Sequence, residues 1–127
     1  DSIIFLDSSI STIDLLKVSD CILGFHTLGI IEAMFTNKPI CYAAWGELFD
    51  DIKDTLIPFH NMKGIKYCEN SKILKDYLIE IISNKKSVIH QRHQRDKNIE
   101  RFLYKADGNS SKRLFKVINE VYENFYK

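Results

Sequence analysis

Four short apolar segments, each followed by a stretch with helical spacing, restrict this chain to few architectures. Ile3 to Leu6, Cys21 to Phe25, Ile40 to Ala44 and, more weakly, Gly64 to Cys68 read as strands. Strands that alternate with helices form a parallel sheet covered by those helices, joined by right-handed crossovers. The expected class is therefore α/β, with a mostly parallel sheet of about four strands and a helical C-terminal segment over residues 71–127. At 127 residues and 45% apolar content, the chain can bury a real core as one domain or as one lobe of something larger. Its first residue is Asp and an apolar run begins two residues later, so it reads as starting inside a fold, as a fragment or an excised domain.

The helical segments carry their own punctuation. Thr12 to Val18 follows Ser11 as N-cap, with Asp14 in the capping-box position and Leu15, Leu16 and Val18 on its apolar side. A second helix, Leu28 to Thr36, is stopped by Asn37, Lys38 and Pro39. Asn70 caps a helix from Ser71 to Ile82 whose Leu74, Leu78, Ile81 and Ile82 share a face. The run KKSVIHQRHQRDKNIERFLYK is helical by propensity with a thin apolar stripe, which predicts a surface helix or one packed on a missing partner. Asp107 and Gly108 form a turn, Asn109 or Ser110 caps a last helix, and Leu114, Val117, Ile118, Val121 and Phe125 predict a continuous buried face for it.

Charge and cysteine usage exclude several functions. Eighteen basic and seventeen acidic residues give a net charge of +1, too little for a nucleic-acid binder that relies on a general basic field. Anion binding must then be local. No apolar run is long enough to span a bilayer and no secretory leader pattern opens the chain, so a cytoplasmic location is expected. The three cysteines, Cys21, Cys41 and Cys68, lack ligand spacing and read as buried reduced thiols rather than disulfides or zinc ligands.

Chemistry is most legible from Cys21 to Pro39, CILGFHTLGIIEAMFTNKP, where a strand runs through a polar turn into a helix. The unpartnered amides and positive dipole end at such a junction favour phosphate or carboxylate. Thr27 offers a hydroxyl and an amide, His26 a ring donor, Leu28 and Gly29 their amides, and Glu32 an acceptor for sugar hydroxyls one turn on. Gly29 costs helix stability, which makes sense where a ligand or another backbone comes close. Thr27 as a plain N-cap and Glu32 as a solvated position explain the same letters.

Three further segments have two readings each. In DGNSSKR, Ser110, Ser111 and Arg113 at a helix start can hold phosphate oxygens, or can simply cap a helix. His90 and His93 share a helix face but lack a third metal ligand, so a solvated basic helix is the better account; if functional, it meets a phosphorylated substrate or an anionic membrane surface. Between Trp45 and Asp51, Trp45 and Phe49 can stack on a base or sugar and Glu47, Asp50 or Asp51 can bond hydroxyls, or the aromatics can close the sheet edge. No Walker lysine motif, GxGxxG, HExxH, GxSxG or CxxC occurs.

Taken together, ISTIDLLKVSD, CILGFHTLGIIEAMFTNKPI and DGNSSKR resemble the nucleotide-binding C-terminal lobe of bacterial glycosyltransferases of capsule polysaccharide biosynthesis. Ser11, Thr12, Asp14, Leu15, Ser19, Asp20, Thr27, Gly29, Glu32, Ala33, Lys38 and Pro39 carry the likeness, and His26 stands where that family more often has Ser. DGNSSKR is similar, at Asp107, Gly108, Ser111 and Arg113, to a stretch of teichoic-acid-type polyol-phosphate transferases. The resemblance covers the first third well and the last quarter loosely. It implies a GT-B enzyme with Rossmann-like lobes of three layers, of which residues 1–127 are one, not active alone.

It further implies that Thr27 and the amides of Leu28 and Gly29 hold donor phosphates, that Glu32 meets ribose or sugar hydroxyls, and that no metal or cofactor takes part. The substrate would be a nucleotide-activated sugar or polyol phosphate, with the glycan acceptor on the other lobe, no nucleic acid, and peripheral contact with the inner membrane face. Helix N-termini would stabilise the departing phosphate. A polyol-phosphate transferase, a sugar-nucleotide epimerase, or a non-catalytic lobe that binds partners through the basic helix around His90 to Arg95 are the competing expectations.

Overall fold

A computed structural model describes residues 3–7, 9–83 and 92–126, with the backbone alone at Arg92. The chain divides into two compact units, residues 1–96 and 97–127.

In the first unit, α1 (Thr12–Val18) starts where Ser11 Oγ accepts from the Ile13 amide at 3.2 Å, as its N-cap role requires. Asp14 holds Lys17 at 2.8 Å on the exposed face. The chain then enters β1 (Ile22–Gly24), turns into α2 (Gly29–Ala33), and continues into β2 (Ile40–Ala43), α3 (Glu47–Ile52), β3 (Lys66–Cys68) and α4 (Ser71–Ser83). Short 3-10 turns at Lys53–Thr55 and Phe59–Asn61 lie between α3 and β3.

The sheet is parallel with order β1-β2-β3, in register Ile22 to Ile40, Gly24 to Tyr42, Tyr42 to Tyr67 and Ala43 to Cys68. Because side chains alternate along a strand, Cys41 and Cys68 share one face, where Tyr77 and Ile81 of α4 cover them and Cys21, Ile73, Leu74 and Leu78 pack around. Gly24 and Tyr42 share the other, and a Cβ on Gly24 would lie 3.0 Å from Ile30 of α2. Helices on both faces of a parallel sheet make the α/β class, with three layers, as expected.

Among the described residues the sheet has three strands, not four. Ile3 to Leu6, expected as the first strand, forms no ladder, and Phe5 is 92% exposed. An apolar run becomes a strand only where a neighbour supplies hydrogen bonds, and no described strand pairs with this one. The helices match their punctuation more closely: Asn70 Oδ1 accepts from the Ile73 amide at 2.9 Å, capping α4.

The basic segment needs a correction. Its described part, α5 (Arg92–Leu103), exposes most of its charges, but Arg95 is fully buried. Its Nε donates to Gly64 O at 2.7 Å, Nη1 to Thr36 O at 3.1 Å and Nη2 to Lys38 O at 2.8 Å. Arg95 is thus a staple across the chain entering β2 and β3, and offers nothing to a surface partner. Residues 84–91, His90 among them, lie outside the described residues.

In the second unit, Asp107 and Gly108, the latter at φ +70°, turn the chain into α6 (Ser110–Tyr126). The apolar stripe of α6 forms as spaced, but it is not buried: Leu114, Val117, Ile118, Val121 and Phe125 are all at least half exposed. The spacing fixed which residues share a face, and nothing in it specified a cover.

Candidate functional site

The strand-to-helix junction stands at the carboxyl end of the sheet, where open parallel sheets take ligands. β1 ends at Gly24, and Phe25, His26 and Thr27 carry the chain into α2. Thr27 organises the turn: its Oγ1 accepts from the Gly29 amide at 3.3 Å and its carbonyl from Ile30 N at 3.2 Å. The Gly29 amide is therefore already occupied. Among the described residues, the Thr27 and Leu28 amides have no backbone or side-chain acceptor. The Thr27 hydroxyl keeps its own proton to donate. α2 has five residues, so an anion at this turn would meet discrete N–H groups rather than a long helix dipole.

Beside this turn lies an aromatic wall. Tyr42 and Phe59, both fully buried, have ring centroids 5.4 Å apart, and Phe59 in turn meets the His26 ring at 5.4 Å. Phe49 packs into the same cluster against Tyr42, Phe25 and His60. Phe49 is thus a core side chain, not a free stacking surface, because α3 turns it inward. Two polar atoms in this cluster, His26 Nδ1 and the Tyr42 hydroxyl, are buried without a hydrogen-bond partner among the described residues. Burial raises the Tyr42 phenol above its ordinary pKa, with the neighbouring Tyr67 adding to the effect. Sequence patterning could not show either orphan, since it reports which face a residue takes and not what its polar tip meets.

That hydroxyl gives a prediction of sign. Tyr42→Phe keeps the ring and deletes a desolvated, unpaired donor, so it should stabilise the protein by about 1 kcal/mol, read as a higher Tm in thermal denaturation. A lowered Tm would mean that the hydroxyl has a partner worth more than its burial costs.

Trp45 and Glu47 follow β2 at the same edge of the sheet, since Tyr42 is aligned with Gly24. Trp45 is exposed and Glu47 opens α3 after Gly46, whose φ of +99° suits glycine. Glu32 is exposed on α2 and lines a groove of about 540 Å³ between α1 and α2, with Ile13, Leu16 and Phe35 as its apolar walls and Lys17 and Lys38 at its rim.

The segment holding Ser110, Ser111 and Arg113 belongs to the second unit. Arg113 Nη1 donates to both carboxylate oxygens of Asp107 at 2.8 Å, and Nη2 to Ser110 Oγ at 3.1 Å and Lys105 O at 3.3 Å. Its guanidinium also lies over the Tyr104 ring at 5.2 Å. The bond from Arg113 holds the Asp107 carboxyl below its usual pKa. Here Arg113 closes the turn on itself, and a phosphate would have to displace a carboxylate from it. His93 faces Asp96 at 3.8 Å. No group of three metal-ligating side chains occurs among the described residues, and no helix among them is long and apolar enough to cross a membrane.

The chain matches no protein-family description, no curated protein and no solved structure at a significant level.

Proposed function

We propose that the first unit is the donor-binding lobe of a glycosyltransferase of surface-polysaccharide biosynthesis, holding a nucleotide-activated sugar at the His26–Thr27 turn. The observation that carries this reading is the turn itself: two uncommitted amides and a threonine hydroxyl at the carboxyl edge of a parallel sheet. Thr27 and Leu28 would bind donor phosphate oxygens, with the Gly29 amide held back to shape the turn. Trp45 and Glu47, at the same edge, would meet the base or sugar. The likeness of residues 11–39 to capsule glycosyltransferases supports the substrate class, and the assignment of transfer rather than epimerisation rests on that likeness.

Gly29 separates binding from folding. A Cβ there would meet nothing closer than 3.7 Å, the distance to Thr27 Oγ1, so Gly29→Ala should fold and gain about 0.5–1 kcal/mol from helix propensity. A methyl beside the phosphate-binding amides should nonetheless weaken a ligand that approaches the backbone closely.

The test is a thermal-shift series with nucleoside diphosphates and CMP on the wild-type chain, Thr27→Ala and Gly29→Ala. A ligand-dependent rise in Tm for wild type, lost in Thr27→Ala and reduced in the intrinsically more stable Gly29→Ala, is expected. No shift with any nucleotide, or an equal shift in all three proteins, would remove the turn as a donor site.

A further inference from the structure

The three cysteines cluster on one sheet face, Cys41 in β2, Cys68 in β3 and Cys21 just ahead of β1, away from the proposed nucleotide turn. Cys21 Sγ and Cys41 Sγ are 3.7 Å apart, and Cys68, aligned with Ala43, lies one strand further on and diagonal to Cys41. Their environments differ in a way that matters chemically. Cys41 and Cys68 are fully buried beneath α4, whereas Cys21, just ahead of β1, is only partly covered. Either sulfur of the Cys21–Cys41 contact can donate; the contact lowers the Cys21 thiol below its ordinary pKa, while the same contact and burial push Cys41 upward. A partly accessible sulfur 3.7 Å from a fully buried one is the arrangement of an attacking and a resolving cysteine.

We infer that Cys21 and Cys41 form a peroxide-responsive thiol pair, with Cys21 the sulfur oxidised first and Cys41 the one that closes the disulfide. In the first step the Cys21 thiolate attacks a hydroperoxide: an S–O bond forms, the O–O bond breaks, and the departing alkoxide or hydroxide takes up from solvent the proton that the Cys21 thiol released on ionising, leaving as alcohol or water. In the second, Cys41 sulfur attacks Cys21 sulfur: the S–S bond forms, the S–O bond breaks, and water leaves with the Cys41 proton. Two thiols lose two electrons and one hydroperoxide gains them. The sulfurs must close from 3.7 Å to about 2.05 Å. Ile22 is aligned with Ile40 and Leu23 with Cys41, so a bridge from Cys21 to Cys41 runs diagonally to the next strand. Closing it pulls the start of β1 along β2, which keeps the disulfide readily reducible.

The experiment treats the folded chain with about one equivalent of hydrogen peroxide, blocks remaining thiols by alkylation, and reads intact mass and a peptide map. A loss of two hydrogens, a Cys21–Cys41 cross-linked peptide and a fully alkylated Cys68 are expected, with reversal by dithiothreitol. In Cys41→Ser, dimedone should trap Cys21 as a sulfenic acid; in Cys68→Ser, the Cys21–Cys41 bridge should form at the wild-type rate. A bridge that includes Cys68, an unoxidised Cys21, or the same mixture of bridges from the urea-unfolded chain would overturn the assignment. The wild-type map carries the test even where a serine variant folds poorly.

Discussion

Arg95→Ala lowers the stability of the protein by about 3–5 kcal/mol, a large share of what a domain of this size has to lose. The guanidinium is fully buried and spends all three of its nitrogens on the carbonyls of Gly64, Thr36 and Lys38. Truncation deletes three charge-assisted hydrogen bonds, each worth more than a neutral one, and takes from three carbonyls the donor the fold provides. It also leaves a cavity the size of the side chain. Arg95→Lys should fall between, because one ammonium cannot reproduce the planar fork that spans three acceptors. Arg95→Glu should not fold, since it sets a carboxylate against carbonyl oxygens in a dry site. Urea denaturation followed by circular dichroism measures all three. A change below about 0.5 kcal/mol for Arg95→Ala would sink the staple, because surface residues rarely exceed that value.

Arg95 also marks where sequence reasoning stops. Within HQRHQRDKNIERF it is one more cation in a polar run, and periodicity gives no reason to treat it differently from Arg92 or Arg101. Its acceptors belong to segments at least 31 residues away in the chain, so only the closed fold brings them to it. Local signals were readable for the opposite reason. Ser11 and Asn70 cap helices through amides two or three residues on, and Asp107 with Gly108 turns the chain within its own neighbourhood. The same logic covers the two overestimates. Ile3 to Leu6 has strand composition, and α6 has a helical apolar stripe, but a ladder and a cover are properties of a second segment that composition cannot supply.

The candidate site divides along this line too. The order strand, polar turn, helix at Cys21 to Pro39 was legible because it is written in consecutive residues, and β1 and α2 form on either side of Thr27. Which amides stay uncommitted was not legible, because the Thr27 hydroxyl takes the Gly29 amide only in the folded turn. The aromatic wall of Tyr42, Phe49 and Phe59 assembles from three separate segments. It could be anticipated only as far as Phe49, where closing the sheet edge is one of two readings the residues leave open and is the one the packing matches.

Gly24→Val should destabilise the protein by about 2–3 kcal/mol and abolish any nucleotide-dependent rise in Tm. Gly24 ends β1 two residues before the polar turn, and a Cβ added there would lie 3.0 Å from Ile30 Cγ1, 3.1 Å from Ile30 Cδ1 and 3.2 Å from Thr27 Cγ2. Ile30 is fully buried, so its side chain has no free volume to move into, and interiors are packed too closely to absorb two further methyl groups without backbone movement. The shift would fall on α2 and on Thr27, which links a packing change to the uncommitted amides. Gly24→Ala is the milder form and allows a direct test of the cause. Trimming Ile30 to Val removes Cδ1, one of the three atoms in conflict, so the double substitution should recover about 1 kcal/mol relative to the sum of the single ones. Strict additivity in that cycle would place the cost of Gly24→Ala elsewhere than at Ile30, and would detach the glycine from the geometry of the turn.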